Sequence, residues 1–269
     1  MRAVILAGGK GVRLTPLTDV IPKPMVPLGG MPILEIVIRQ LSQYGFRHIT
    51  MAVGYMAELL QAYFRDGAKW GVKIDYSYEY QPLGTAGPLA LIDGLTKPFL
   101  VMNADVLTNL RYHRLIDFHQ SHKGIATIGA FEHRVTIDLG VIISDGRERI
   151  KDYVEKPAYS HLVSMGVYVF EPQVLDYIKD RGYLDFPDLV KLLLEDKQTV
   201  NYHRFNGYWL DIGRHEDYAQ AALEFNKMRG QFLFPPPGCP SEKDSGASRH
   251  RRDPHVDENL REGLPIWGL

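Results

Sequence analysis

The chain has 269 residues, of which 45% are hydrophobic and 23% charged, enough to bury one large core or two unequal lobes. A formal net charge of -1 supplies no field for gathering nucleic acid, and no apolar run approaches the roughly 18 residues of a membrane-spanning helix. The single cysteine, Cys239, excludes an internal disulfide or a cysteine metal cluster, and the N-terminus lacks the basic start and cleavage site of a signal peptide, so the cytosol is the expected compartment.

Residues 2–7 read as a strand. After Pro32, the apolar residues Ile33, Ile36, Val37, Leu41 and Tyr44 recur on one helical face. Residues 48–53 are the next strand, and Met56, Leu59, Leu60, Tyr63 and Phe64 repeat the helical spacing, with Gly71 as the expected stop. Residues 72–78, a glycine-containing loop, a short helix after Thr85 and a strand over 99–102 make a third crossover, which ends in Asn103-Ala104-Asp105. Such alternation predicts a parallel sheet whose carboxyl edge is populated by loops. Beyond residue 123, runs at 125–131, 140–143 and 164–170, split by turns such as Asp145-Gly146, predict a smaller, mixed β-rich lobe. Helical patterns return over 186–194 and 217–228. The expected organisation is one domain over 1–230, divided near residues 122 and 213 and closed by the helix of 214–230. Residues 231–269, with a Pro-Pro-Pro-Gly run from Pro235 and few large apolar side chains, read as a disordered tail. Hexapeptide β-helix periodicity is absent.

The first strand runs into Ala7-Gly8-Gly9-Lys10-Gly11-Val12-Arg13, so a glycine-rich backbone and two cations stand at the end of a parallel strand, where phosphates bind. Glycines let amide N–H groups approach phosphate oxygens, and Arg13 can donate a bidentate fork. The loop is neither a Walker motif, which needs Gly-Lys-Ser/Thr, nor a dinucleotide fingerprint, which needs glycine where Leu14 stands. Taken alone, it is explained equally well as a strand-to-helix turn. In Pro22-Lys23-Pro24 the flanking prolines restrict the backbone that presents the Lys23 ammonium, which suits a positioned cation, although for an isolated lysine a solvated side chain in a proline-rich loop is the better explanation.

Together, Leu6-Ala7-Gly8-Gly9-x-Gly11-x-Arg13-Leu14, Pro16-x-Thr18 and Pro22-Lys23-Pro24-Met25 resemble the signature of the sugar-1-phosphate nucleotidylyltransferases, and the likeness extends through about residue 225. The resemblance implies a Rossmann-like, three-layer α/β/α nucleotidyltransferase fold of the GT-A-like kind. Its mixed sheet would carry a nucleotide-binding part over 1–122 and a smaller β-rich sugar-binding lobe over 123–213. It implies Arg13 and Lys23 on the triphosphate, with Leu6, Ala7, Gly8, Gly9 and Gly11 around the phosphates and ribose. Gln81, Gly84, Thr85 and Ala86 fall in the segment that recognises the base, in a form most similar to mannose-1-phosphate guanylyltransferase-like members. GTP is therefore the expected donor, with thymidylyl, uridylyl or cytidylyl transfer as alternatives; a threonine helix cap explains the same letters without a ligand.

Asp105 and Asp211 match the family's Mg²⁺ positions, and Mg²⁺ is commonly held by one or two carboxylates with water and phosphate oxygens. Each Asp could instead cap a turn. Glu155 and Lys156 match the contacts to sugar hydroxyls and sugar phosphate, for which a surface ion pair is the plain alternative. Gly140, Ser164 and Gly166 match sugar-facing positions; Ser164 and Met165 replace the family's usual Asn and small residue, which leaves the sugar open. The implied partners are an NTP and a sugar 1-phosphate, with neither nucleic acid nor membrane; a homo-oligomer through the main body is left open. The sugar phosphate carries its own anionic nucleophile, so the chemistry asks for positioning and charge neutralisation, and no His is assigned to it. A noncatalytic nucleotide-sugar-binding regulator on the same fold is the alternative of another class, and an NAD-dependent oxidoreductase has only Gly9-x-Gly11 in its favour.

Overall fold

The computed structural model describes residues 1–233. Its centre is a sheet built outward from β1 (Arg2–Ala7), which pairs in parallel with β2 (His48–Val53) on one side and β4 (Phe99–Asn103) on the other. β3 (Lys73–Tyr78) extends the parallel half beyond β2. Ala3, Val4 and Ile5 are all buried, as expected of a strand covered on both faces. The helices that connect these strands are α1 (Ile33–Gln43) and α2 (Ala57–Phe64). The predicted α1 face is buried, and Gly45 at φ 85° follows its end in the left-handed conformation that glycine supplies at no steric cost. α2 stops well before Gly71: Arg65 takes φ 46°, and a short 3₁₀ turn over Ala68–Trp70 follows. The segment after Thr85 is likewise a 3₁₀ turn, Gly87–Leu91, with Pro88 in it.

The second half joins the same sheet. After the short β5 (Val106–Thr108) and α3 (Tyr112–His122), the elements are β6 (Ala126–Thr136), the hairpin β7 (Gly140–Ser144) and β8 (Ile150–Glu155), and β9 (Ala158–Phe170). They are followed by α4 (Phe186–Glu195), β10 (Val200–Phe205), β11 (Trp209–Asp211) and α5 (His215–Leu233). β9 runs antiparallel to both β4 and β6, and β10 runs parallel to β6. The seven-stranded order is therefore β10-β6-β9-β4-β1-β2-β3, a mixed sheet. The β-rich region is thus an extension of the central sheet, with the outer halves of β6 and β9 and the β7–β8 hairpin projecting into solvent.

Alternate residues along the strands feed the two faces. Ile5, Met102 and Val167 pack with α1, α2 and α3, while Val4, Val101 and Phe170 pack with the 87–91 turn and α4. A third cluster, around Phe225 and Phe232 of α5, Ile33 and Ile36 of α1, and Ile212, seals the end of the sheet next to β11. The helical pattern expected to close near residue 228 instead continues across a kink at Met228, so that Phe232 and Leu233 are buried. The start of the expected tail is therefore helix, and residues 234–269, Cys239 among them, lie outside the described residues.

Candidate active site

Because β1 to β4 are parallel, the loops after all four emerge at one edge of the sheet, and a cavity of about 830 Å³ opens there. Leu6, Ala7, Gly8, Gly9 and Gly11 all line it, together with Lys10, Arg13 and Lys23. Gly11 is in the left-handed conformation, φ 65°, and a Cβ there would lie 2.8 Å from Cβ of Lys23 and 3.0 Å from Cγ2 of Thr18. The Thr18 hydroxyl donates to the Gly11 carbonyl at 2.9 Å. The glycine loop and the proline-flanked lysine loop are thereby packed directly on each other. Gly213 lies against the Arg13 guanidinium, which a Cβ would approach to 3.5 Å.

Asp105 also lines the cavity, and its Oδ2 accepts from Lys23 Nζ. Its Oδ1 is enclosed and has no hydrogen-bond partner. Asp211 reaches this place through strand pairing: β11 lies antiparallel to β5 with Asp211 opposite Val106, and the Ile212 amide donates to the Asp105 carbonyl at 3.1 Å. Burial, and next the charge of Asp105, push the Asp211 carboxyl up, with Lys23 and Arg13 pulling it back.

Gln81, Gly84 and Thr85 line the cavity after β3, whereas Ala86 is fully buried in the core beneath. Thr85 does not cap the turn that follows it. Its hydroxyl and amide both donate to Asp185 Oδ1, at 3.1 and 2.9 Å, and its oxygen accepts from the Phe186 amide at 2.8 Å, capping α4. Gly84, at φ 79°, fits because a Cβ there would meet the Leu184 carbonyl at 2.5 Å. Asp185 also lines the cavity; burial pushes its carboxyl up, but bonds from Tyr183 and Thr85 outweigh that and hold it below the usual aspartate value.

The five residues matched to the sugar lie outside this lining. Gly166, at φ 70°, packs on Asn103, which does line the cavity; a Cβ would come within 2.6 Å of its Nδ2. Ser164 donates to the Tyr168 hydroxyl at 3.0 Å. Gly140 is covered by the Tyr153 ring and pairs in register with Glu155, which is exposed at the end of β8. Lys156 forms an exposed ion pair with Asp138 at 2.8 Å. Several side chains of the cavity were not expected from the sequence, among them Glu79, Asn103 and Asp185. Glu79 and Asn103 end β3 and β4 and were accessible to the carboxyl-edge rule; Asp185 arrives from the far half of the chain without a local motif.

Fold and cavity define the class: a Rossmann-like α/β protein whose cavity lies where such sheets receive nucleotides. The chain belongs to the nucleotidyl transferase family, whose model matches residues 2–228. It is 37% identical over 226 residues to the mannose-1-phosphate guanylyltransferase catalytic subunit beta of Danio rerio, covering 81% of this chain and 62% of that protein. It is 35% identical over 241 residues to the UTP–glucose-1-phosphate uridylyltransferase of Synechocystis, covering 82% of this chain and 62% of that one. The chain thus spans about 62% of the length of these curated relatives. The crystal structure of HddC from Yersinia pseudotuberculosis complexed with GMP-PN is 26% identical with a TM-score of 0.63, covering 83% of this chain and 99% of that one. No helix among the described residues is long and apolar enough to cross a membrane.

Proposed function

We propose that the chain is a sugar-1-phosphate nucleotidylyltransferase that joins a nucleoside monophosphate from an NTP, by preference GTP, to a sugar 1-phosphate and releases pyrophosphate. The observation that carries this reading is the meeting of Lys23, Asp105 and Asp211 beside a glycine-rich loop at the sheet's carboxyl edge. Amide N–H groups of the loop over Gly8, Gly9 and Gly11 face the phosphates, and Arg13 and Lys23 neutralise the charge that collects on the leaving pyrophosphate. A sugar-phosphate oxygen, already anionic, attacks the α-phosphorus. The bond from that phosphorus to the bridging oxygen breaks, and its electron pair leaves with pyrophosphate. Lys156 exchanges Asp138 for the sugar phosphate, Glu155 accepts from sugar hydroxyls, and Gly140, Ser164 and Gly166 shape the sugar's place.

The carboxylate pair fits a divalent cation, Mg²⁺ in this reading, because Asp105 Oδ1 is enclosed without a partner and Asp211 is pushed up beside it. No group of three or more His, Cys, Asp or Glu placed to hold a metal ion occurs among the described residues, so in this reading phosphate and water oxygens would complete the shell. When bound, such a cation neutralises phosphate charge and eases departure of pyrophosphate.

Preference for GTP is supported by the guanylyltransferase relatives and the guanine nucleotide named with HddC, while the uridylyltransferase relative makes UTP the competing donor. The test is pyrophosphate release by purified protein with Mg²⁺ across the four NTPs and dTTP, against hexose, aminohexose and heptose 1-phosphates. Turnover strongest with GTP supports the reading; no release with any pair overturns it.

A further inference from the structure

We propose that His215 is a positioning residue for Arg13: its imidazole ties the loop that carries the arginine to the segment that carries Asp211. This inference rests on the transferase reading, in which Arg13 meets the phosphates and Asp211 the cation, and it concerns a histidine to which that reading gives no part.

Arg13 lies in the short 3₁₀ turn Val12–Leu14, between an exposed Val12 and a fully buried Leu14. The turn's own backbone bonds are local, from the Leu14 amide to the Gly11 carbonyl at 2.9 Å and from the Thr15 amide to the Val12 carbonyl at 3.4 Å. Two side chains from elsewhere bracket it. The Thr18 hydroxyl donates to the Gly11 carbonyl at 2.9 Å, and on the other side of Arg13 the Nε2 of His215, 200 residues away in sequence, bonds to the Thr15 carbonyl at 2.7 Å. A carbonyl only accepts, so Nε2 is the donor.

The five residues from Asp211 to His215 lead from β11 into α5 and meet the site repeatedly. Ile212 is buried, and its amide donates to the Asp105 carbonyl at 3.1 Å; the Gly213 amide donates to the Asp211 carbonyl at 2.9 Å. Gly213 lies beneath the Arg13 guanidinium: a Cβ there would be 3.5 Å from both terminal nitrogens and 3.6 Å from the central carbon. Three nearly equal distances mean that the planar group rests face-on against Gly213. Its N–H donors, which lie in that plane, are left for a ligand.

The helix does not explain a histidine at this place. Near a helix N-terminus the dipole favours acidic side chains, which α5 supplies as Glu216 and Asp217, and the Asp217 carboxylate accepts from the Arg214 amide at 2.8 Å. Nor does α5 depend on the histidine for its attachment: Ala221, Phe225 and Phe232 are buried, and the Tyr218 hydroxyl donates to the Pro27 carbonyl at 2.7 Å. What the His215 bond adds is a fixed spacing between Arg13 and the Asp105–Asp211 pair, groups that must engage one triphosphate together. A displacement of about 1 Å in such a group can cost about 100-fold in rate.

The experiment compares His215→Ala, His215→Phe and His215→Gln, each alone and combined with Arg13→Ala, by kcat/KM with GTP and by the KM for pyrophosphate in the reverse direction. Phenylalanine keeps a ring without the donor, and glutamine keeps a donor nitrogen at similar reach. His215→Ala and His215→Phe should each lower kcat/KM by about 10- to 100-fold and raise the KM for pyrophosphate, while His215→Gln stays within about 3-fold of the unaltered chain. With Arg13→Ala already present, the same changes should cost less than about 2-fold, because nothing is left to position. The melting temperature should barely move, since the bond is a single exposed one. Equal losses in both backgrounds, a His215→Phe variant as active as His215→Gln, or a lowered melting temperature with kcat/KM intact would overturn the proposal and leave the transferase reading standing. If the unaltered chain turns over no NTP, that reading fails separately, and calorimetric binding of inorganic pyrophosphate with Mg²⁺ decides for His215: affinity lost in His215→Phe only while Arg13 is present supports the proposal, and unchanged affinity overturns it.

Discussion

Lys23 donates through Nζ to Oδ2 of Asp105, joining the proline-flanked loop to the turn after β4. Around this bond the chain gathers a cation, two carboxylates and a glycine loop drawn from residues 8 to 211. Removing one member should therefore disturb the others, and that coupling shapes the predictions.

Lys23→Ala should lower kcat/KM for nucleotidyl transfer by about 100- to 1,000-fold, the cost of removing one positioned charge from a transition state. The core clusters do not include this side chain, so circular dichroism should show a folded protein. Lys23→Arg, which keeps the charge but not the compact ammonium, should recover part of the rate.

Gly11→Ala should cost about 1–3 kcal/mol of stability, because alanine must adopt φ 65° and its Cβ meets Lys23 Cβ at 2.8 Å. Chemical denaturation measures that loss. Activity should fall further than stability does, since the same contact displaces Lys23.

The pH dependence follows from Asp211, whose carboxyl is raised by burial first and by Asp105 second. Between the unfolded aspartate value, about 4, and the raised folded value, the folded chain retains a proton that the unfolded chain has released. The stability this provides is fully present below the unfolded value and lost as pH rises through the folded one. Cation binding needs the ionised form and moves oppositely. In this window the melting temperature of metal-free protein should fall with rising pH while Mg²⁺-dependent activity rises. Asp211→Asn should flatten its share of the stability slope, with the remainder of the same sign coming from Glu79, whose carboxyl burial also pushes up, and should abolish the activity.

Thr85→Val should destabilise the protein by about 1 kcal/mol, because the Phe186 amide at the start of α4 loses its cap. Calorimetry checks this loss. Asp185 loses the hydroxyl bond at the same time, so its carboxyl should titrate closer to the ordinary aspartate value.

The parallel half of the sheet was legible in the sequence because each strand and helix carries its own periodicity, as in 2–7 and in Ile33, Ile36, Val37 and Leu41. The glycine loop and Lys23 were legible because their letters are contiguous. What lay beyond local pattern depends on pairing across the chain. Asp211 reaches Asp105 only through the register of β11 against β5, Thr85 caps a helix a hundred residues away, and Gly8 and Gly54 are glycine because of where Glu79 goes. The stop of α2 at Arg65 was hidden for the opposite reason: a non-glycine residue takes a positive φ there, which no local letter announces.

Tracing the donor's phosphates tests the central claim most directly. With GTP labelled at the α-phosphorus in one reaction and at the γ-phosphorus in another, in the presence of the best sugar 1-phosphate, the α label should appear in the sugar nucleotide and the γ label in pyrophosphate. Transfer of the γ label to the sugar, or retention of both labels in the nucleotide, would contradict attack at the α-phosphorus and with it the assignment of Arg13, Lys23, Asp105 and Asp211.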